Sequence, residues 1–260
     1  MRSITIPESV SSIGNSAFAG CTNLTSIPIP NNVTSIGNFA FQGCHALLRV
    51  TMPDSVTSMG NAFSFCTSLT SVTIGDSVTN IASETFIGCS SLTNVAIPDS
   101  VTSIANCAFD SCTSLANIII PNSVTNIGAD AFGGCTSLTG IYFSGDAPGA
   151  GWFAFDGDTN GTVYYLPGTT GWGPTFGDLP TVLWNPLMQT SDTSFGLRTN
   201  RFGFNITGSS NLVIVVEACT DLSNPFWSPV GTNTLTDGSS YFSDPQWTNY
   251  PARLYRLRSP

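Results

Sequence analysis

The chain has 260 residues, 41% hydrophobic and 9% charged, which supplies a core and leaves too little charge to hold a disordered polymer open. Seven arginines and no lysine stand against 16 acidic residues, and a net charge of −9 repels a phosphate backbone, so no nucleic acid partner is expected. No apolar run approaches the ~18 residues of a membrane-spanning helix, so no membrane span is expected either.

In chain order, the first predicted strand is Ile4-Thr5-Ile6. Its phase returns at Ile27-Pro28-Ile29, Val50-Thr51-Met52, Val72-Thr73-Ile74, Val95-Ala96-Ile97 and Ile118-Ile119-Ile120, in steps of 23, 23, 22, 23 and 23 residues. Three further columns keep the same phase: Phe18, Phe41, Phe63, Phe86, Phe109 and Phe132; Cys21, Cys44, Cys66, Cys89, Cys112 and Cys135; and a leucine column from Leu24 to Leu138. Each unit reads as a period-two strand, a turn rich in Pro, Asn, Asp and Ser, and a second short extended piece of the type Val-Thr-Ser-Ile-Gly. The Ala-Phe-x-Gly-Cys segment that follows is too short for a stable helix and is expected to make one or two helical turns. A coil of 23 residues cannot bury its own apolar side chains, so the columns imply stacked coils.

The pattern weakens after residue 140 without ending. Ile141 and Phe143, then Val163 and Tyr165, restart the strand phase; Ala154-Phe155 repeats Ala131-Phe132; Trp172 takes the offset of Ile127; and Val182 with Trp184 makes a last strand. Nine stacked parallel strands are expected from residue 4 to residue 184, ~4.8 Å apart.

These units resemble the BspA-type leucine-rich repeat, which reads close to Ile-Pro-x-Ser-Val-Thr-x-Ile-Gly-x-x-Ala-Phe-x-x-Cys-x-x-Leu. The match runs from residue 4 to residue 143, and Ile97-Pro98-Asp99-Ser100-Val101-Thr102-Ser103-Ile104 carries it in full. The resemblance implies a repeat solenoid, right-handed, with a parallel β-sheet on its concave face, found in surface and secreted proteins of bacteria and protists, several of them adhesin-like. It implies no enzyme activity. Two departures stand out: Gly75 replaces a strand-ending proline, and Asp158 replaces a seventh cysteine. The resulting domains are residues 1–143 with six regular repeats, 144–186 with degenerate repeats and a cap, and 187–260 with a small all-β module. Met1-Arg2-Ser3 runs straight into a repeat with no signal peptide, and the first coil lacks its leucine and any polar cap. A chain truncated at its N-terminus is therefore expected, and the extracellular or cell-surface location comes from the resemblance alone.

Composition changes after Asn185-Pro186, where the columns vanish and five arginines balance five acids. Strands are expected around Phe202–Ile206, Leu212–Val216 and Arg253–Leu257, separated by the turn clusters Thr207-Gly208-Ser209-Ser210 and Thr236-Asp237-Gly238-Ser239, which suits a small sandwich. Trp227, Trp247, Tyr241 and Phe242 are candidates for sugar stacking, with core or cap roles as the plainer reading.

Six aligned cysteines in stacked coils sit about one strand spacing apart, longer than the ~3.8 Å between Cβ atoms that a disulfide prefers, so reduced thiols filling a core are expected. The single histidine, His45, falls in a slot held elsewhere by Thr and Ser and is read as a surface residue. With no lysine, Schiff-base and P-loop chemistry are absent, and no acid pair is distinguished for glycosidic work. No cofactor is expected except calcium, for which Asp156, Asp158 and Asn160 match alternate positions of an EF-hand loop, although Pro167 replaces the bidentate Glu at its twelfth position. The bland reading of that loop is a Gly/Asp turn. The column Glu8, Asn31, Asp54, Asp76, Asp99 and Asn122 is read as Asx turns closing each strand.

On each long strand the first and third residues of the tripeptide point inward, and the middle residue and the residue preceding the tripeptide point outward. That face runs from Thr5 and Ser26 at one end to Asn94, Asn117, Ile119, Tyr142 and Tyr164 at the other. An exposed apolar cluster of this kind marks a contact site for a protein or glycan partner, or a surface that a cap or the tail covers. The expected function is a noncatalytic interaction or adhesion scaffold. The alternatives are a calcium-dependent carbohydrate-binding protein and a structural segment of a larger secreted protein.

Overall fold

The computed structural model describes residues 3–198 and 201–260. Met1 and Arg2, which open the first expected domain and enter the leader expectation, lie outside the described residues, as do Thr199 and Asn200 of the tail. The chain divides into two units between Val182 and Leu183.

The first unit is a parallel-strand β-solenoid of about seven turns with almost no helix. Its long strands are Arg49–Thr51, Ser71–Thr73 and Asn94–Ala96 in one parallel sheet, and Asn117–Ile120, Gly140–Phe143 and Thr162–Tyr165 in another. Leu179–Leu183 neighbours Thr162–Tyr165 and pairs antiparallel with Thr175–Phe176, which ends the sheet in a hairpin. Register follows the repeat, with Val50 opposite Val72 and Val72 opposite Val95. The first two of the nine expected strands are reduced to a single parallel bridge between Ser3 and Ser26. Pro28 and Pro30 flank Ile29 and remove the N–H donors that a ladder needs. The second extended pieces form their own parallel ladders: Ser12–Ile13, Ser35–Ile36 and Ser58–Met59, then Asn80–Ile81, Ser103–Ile104, Asn126–Ile127 and Gly149–Ala150.

The Ala-Phe-x-Gly-Cys corners are not helical turns. Ser16, Phe39, Glu84, Cys107, Asp130 and Phe153 hold φ between 52 and 60°, and a second left-handed position follows at Gly20, Gly43, Gly88, Gly134 and Gly157. Two such residues per coil, or Phe65 alone in the coil shortened by one residue, stop a right-handed helix from propagating. The freed N–H groups turn to the neighbouring coil, as in Phe41 N to Ala62 O at 2.8 Å and Gly43 N to Ser64 O at 2.9 Å. The strand-ending turns close through the backbone, Val56 N to Pro53 O and Val101 N to Pro98 O. In the acidic column, Asp54 Oδ1 accepts from Asp76 N of the next coil.

The core is the set of columns made physical. Seven phenylalanines from Phe18 to Phe155 stack face to face with centroids 5.2–5.7 Å apart. Those from Phe41 to Phe132 are fully buried, whereas Ile4, Val10, Phe18 and Cys21 of the first coil are only partly covered. The cysteines are free thiols, and from Cys44 to Cys135 each column thiol donates S–H to the carbonyl of the phenylalanine in the preceding coil at 3.2–3.3 Å. Burial pushes the Cys44 and Cys89 thiols up to about 11 and about 12, which makes them inert packing groups.

The second unit is all-β. One sheet holds Leu187–Met188, Gly196–Arg198, Arg201–Thr207 and Ser239–Asp244, and the other holds Val213–Cys219 between Ser228–Thr234 and Leu254–Arg258. Asp237 and Gly238, at φ 54 and 79°, make the expected Asp-Gly turn. Glu217 is buried and bridged by Arg256 and Arg258, while Asp244 is buried against Arg253 and Tyr255.

Candidate functional site

Strand alternation places the expected contact residues on one surface. In Asn117–Ile120 the burial alternates so that Ile118 and Ile120 enter the core and Ile119 is 54% exposed. Parallel register then sets Ile119 beside Tyr142 and Tyr142 beside Tyr164, and the two tyrosine rings stack at 4.8 Å with 12° between their planes. Gly140, opposite Asn117, makes room for this: a Cβ there would lie 2.6 Å from the Tyr142 ring and 2.5 Å from Asn117 Oδ1. The Tyr142 ring therefore lies back over Gly140 toward Asn117. Both tyrosines are half-buried, and burial pushes both phenols above the ordinary range. Asn94 is exposed in the same column as Asn117. The result is a row of neutral amide, apolar and aromatic groups, with no charge of its own, suited to contact rather than to proton transfer.

Of the residues expected around calcium, Asp156 and Asp158 line one cavity and Asn160 does not. Asp156 and Asn160 are exposed, whereas Asp158 turns inward to the position of the missing cysteine and is buried. Both Asp158 oxygens are buried, and burial, reinforced by the nearby Asp156 and offset by the Cys135 backbone N–H, raises its carboxyl to about 7. Among the described residues no group of three or more His, Cys, Asp and Glu is placed to hold a metal ion.

His45 is exposed, with Nδ1 3.3 Å from Thr67 Oγ1. In the tail, Phe242 is a core residue, Trp227 and Trp247 are partly covered, Arg256 stands 4.5 Å over the Trp227 ring, and Tyr241 is 42% exposed.

Phe153, Asp156, Asp158 and Asp178 share the wall of one cavity in the last coils, a grouping the sequence reading passed over. The available signal was spacing, since Asp178 follows Asp156 by 22 residues, one short repeat step.

A family model for the BspA type leucine rich repeat region matches residues 1–114 and 61–170, in six copies. A leucine rich cell surface protein of Faecalibacterium prausnitzii, known from its crystal structure, is 32% identical over 64% of this chain and 55% of that chain, with a TM-score of 0.54. A leucine-rich repeat protein of Bacteroides ovatus is likewise 32% identical, over 62% of this chain and 48% of that chain, with a TM-score of 0.49. The chain thus spans about half the length of these solved structures. No curated protein matches it. No described helix is long and apolar enough to cross a membrane.

Proposed function

Because this chain belongs to the BspA-type leucine-rich repeat family, we propose that it is a noncatalytic scaffold that binds a protein or glycan partner through the outward face of its long-strand sheet, at a cell surface. The observation that carries the reading is the in-register row of Ile119, Tyr142 and Tyr164, an open apolar side chain beside a stacked aromatic pair. Burying Ile119 and the tyrosine edges under a partner removes apolar area from water, and the flanking Asn94 and Asn117 amides supply the hydrogen bonds that fix orientation. Surface placement is supported by the Faecalibacterium relative, itself a cell surface protein.

The test is binding of the full chain to intact bacterial and epithelial cells and to a glycan array. Ile119→Asp, at an exposed position, is expected to reduce capture at least fivefold with an unchanged melting temperature. The double variant Tyr142→Ala, Tyr164→Ala is expected to abolish it. Capture retained by both variants removes this face from the function.

A further inference from the structure

A second site lies in the tail and stands independently of the sheet-face reading. Antiparallel pairing brings the end of Val213–Cys219 beside the starts of two strands, with Ala218 opposite Ser228 and Cys219 opposite Leu254. The connections that meet there, residues 220–227 and 245–253, wall a cavity of about 190 Å³ whose lining includes Cys219, Asp221, Asn224, Phe226, Tyr250 and Arg253. Loops gathered at one end of a rigid sheet are where binding groups collect.

The wall is held in place by its own hydrogen bonds. Cys219 S–H donates to the Asp221 carbonyl at 3.1 Å, and the Ser223 N–H and hydroxyl both donate to Asp221 Oδ1, at 2.8 and 2.6 Å. Arg253, whose side chain is 10% exposed, donates from Nη1 to the buried Asp244 at 2.6 Å and stands 4.3 Å over the Tyr250 ring. That bond uses one of the five N–H donors of the guanidinium. Arg253 Nε and Nη2 have no partner among the described residues, and both keep contact with solvent. Phe226, on the same wall, is 81% exposed.

Charge selects among ligands for this cavity. Arg253 is neutralised by Asp244, and the Ser223 hydroxyl, then its backbone N–H, hold the exposed Asp221 carboxyl below its ordinary value, so the wall keeps one uncompensated negative charge. An anion is repelled by Asp221, and an ammonium meets a guanidinium that already occupies the Tyr250 ring. A neutral ring carrying hydroxyls suits every group: its C–H face lies on Phe226, its oxygens accept from Arg253, and its hydroxyl hydrogens go to Asp221 and Asn224. The volume, equal to about six waters at ~30 Å³ each, admits one such ring. We propose that the tail cavity binds one neutral pyranose unit, as a free sugar or as the end of a glycan, with Phe226 as its stacking platform.

Saturation-transfer NMR titration of the full chain tests this with methyl β-glucopyranoside, methyl β-galactopyranoside and methyl α-mannopyranoside, and with glucuronate and pentylamine as charged controls. At least one methyl glycoside is expected to bind with Kd of about 1–10 mM, unchanged by about 0.5 M sodium chloride because the ligand is neutral. Cellobiose or lactose at least tenfold tighter than the matching methyl glycoside identifies a glycan chain as the source, and comparable affinities mean that the single unit is recognised. Phe226→Ala, at an exposed position, should weaken binding at least fivefold with an unchanged melting temperature. Arg253→Lys, which keeps the charge beside Asp244 and loses the planar fork, should weaken it at least threefold. The proposal is overturned if none of the three glycosides binds, or if glucuronate or pentylamine binds more tightly than they do. It is overturned equally if Phe226→Ala binds like the parent, or if Ile119→Asp removes binding, which assigns the sugar to the sheet face.

Discussion

Asp158 shows what one exchange does inside a repeating column. Every other coil from Cys44 onward places there a small thiol that donates to a carbonyl, and the seventh coil places a buried carboxyl. Its proton is held to about 7, chiefly by burial, whereas in the unfolded chain it leaves near 3.8. The sign follows from proton counting: between those two values the folded state binds more protons than the unfolded one, so stability is greatest below 3.8 and falls as pH rises to about 7. Asp158→Cys restores the thiol and removes the titration. The variant is expected to raise the melting temperature at pH 8 by about 3 °C or more and to flatten its dependence between pH 4 and pH 7. Parallel melting profiles for variant and parent would show that the carboxyl is solvated after all.

The phenylalanine stack is the element on which the solenoid depends, and its two ends are unlike. Phe109 is wholly buried between Phe86 and Phe132, while Phe18 is partly exposed at the first coil and has a ring on one side only. Phe109→Ala is expected to cost about 3–5 kcal/mol by removing a large buried ring from a site that cannot collapse, and Phe18→Ala clearly less. Urea unfolding monitored by circular dichroism measures both, and equal losses would mean that the coils do not stack as one core. This column was legible in the sequence because translation by 23 residues brings like onto like, so Phe41, Phe63 and Phe86 name one another. The corner was not legible. Its second left-handed position is glycine in five coils, but its first carries Ser16, Phe39, Glu84, Cys107 and Asp130, residues with no shared chemistry, because the requirement there lies in the backbone. The two early strands failed for a related reason, since Ile27-Pro28-Ile29 has the right apolar phase and lacks a donor. In the tail, Ser228–Thr234 includes Pro229 and Gly231, which reads as loop; it forms a strand because Val213–Cys219 pairs with it across a bulge. At the candidate site, alternation alone gave the outward row of Asn117, Ile119 and Tyr142. The wall shared by Asp158, Asp178 and Phe153 needed the closing hairpin at Thr175–Leu183, which no repeat encodes.

At the scale of the whole chain, the two units are stabilised by charges that respond to acid in opposite ways. The solenoid carries one buried carboxyl that prefers its proton, Asp158, and the tail carries a buried carboxylate that prefers to lose it. For Glu217, burial pushes the carboxyl up, but hydrogen bonds and charge from Arg258 and Arg256 outweigh it and hold the group below its ordinary 4.5. The unfolded state then binds more protons than the folded one just below 4.5, so this contribution is present above that value and is lost as pH falls through the lowered one. Breaking such a pair leaves its partner charges uncompensated, which is why the loss should be felt across Val213–Cys219 and Leu254–Arg258 together. Hydrogen exchange on the full chain, corrected for intrinsic rates, resolves the two responses without separating the units. From pH 8 to pH 5, protection of residues 132–165 is expected to rise while that of 213–219 and 254–258 stays level. Below about pH 4 the tail segments should lose protection while the solenoid core keeps it. A uniform change across both sets of segments would mean that neither carboxyl controls its own unit, and that the charge of −9 acts on the chain as a whole.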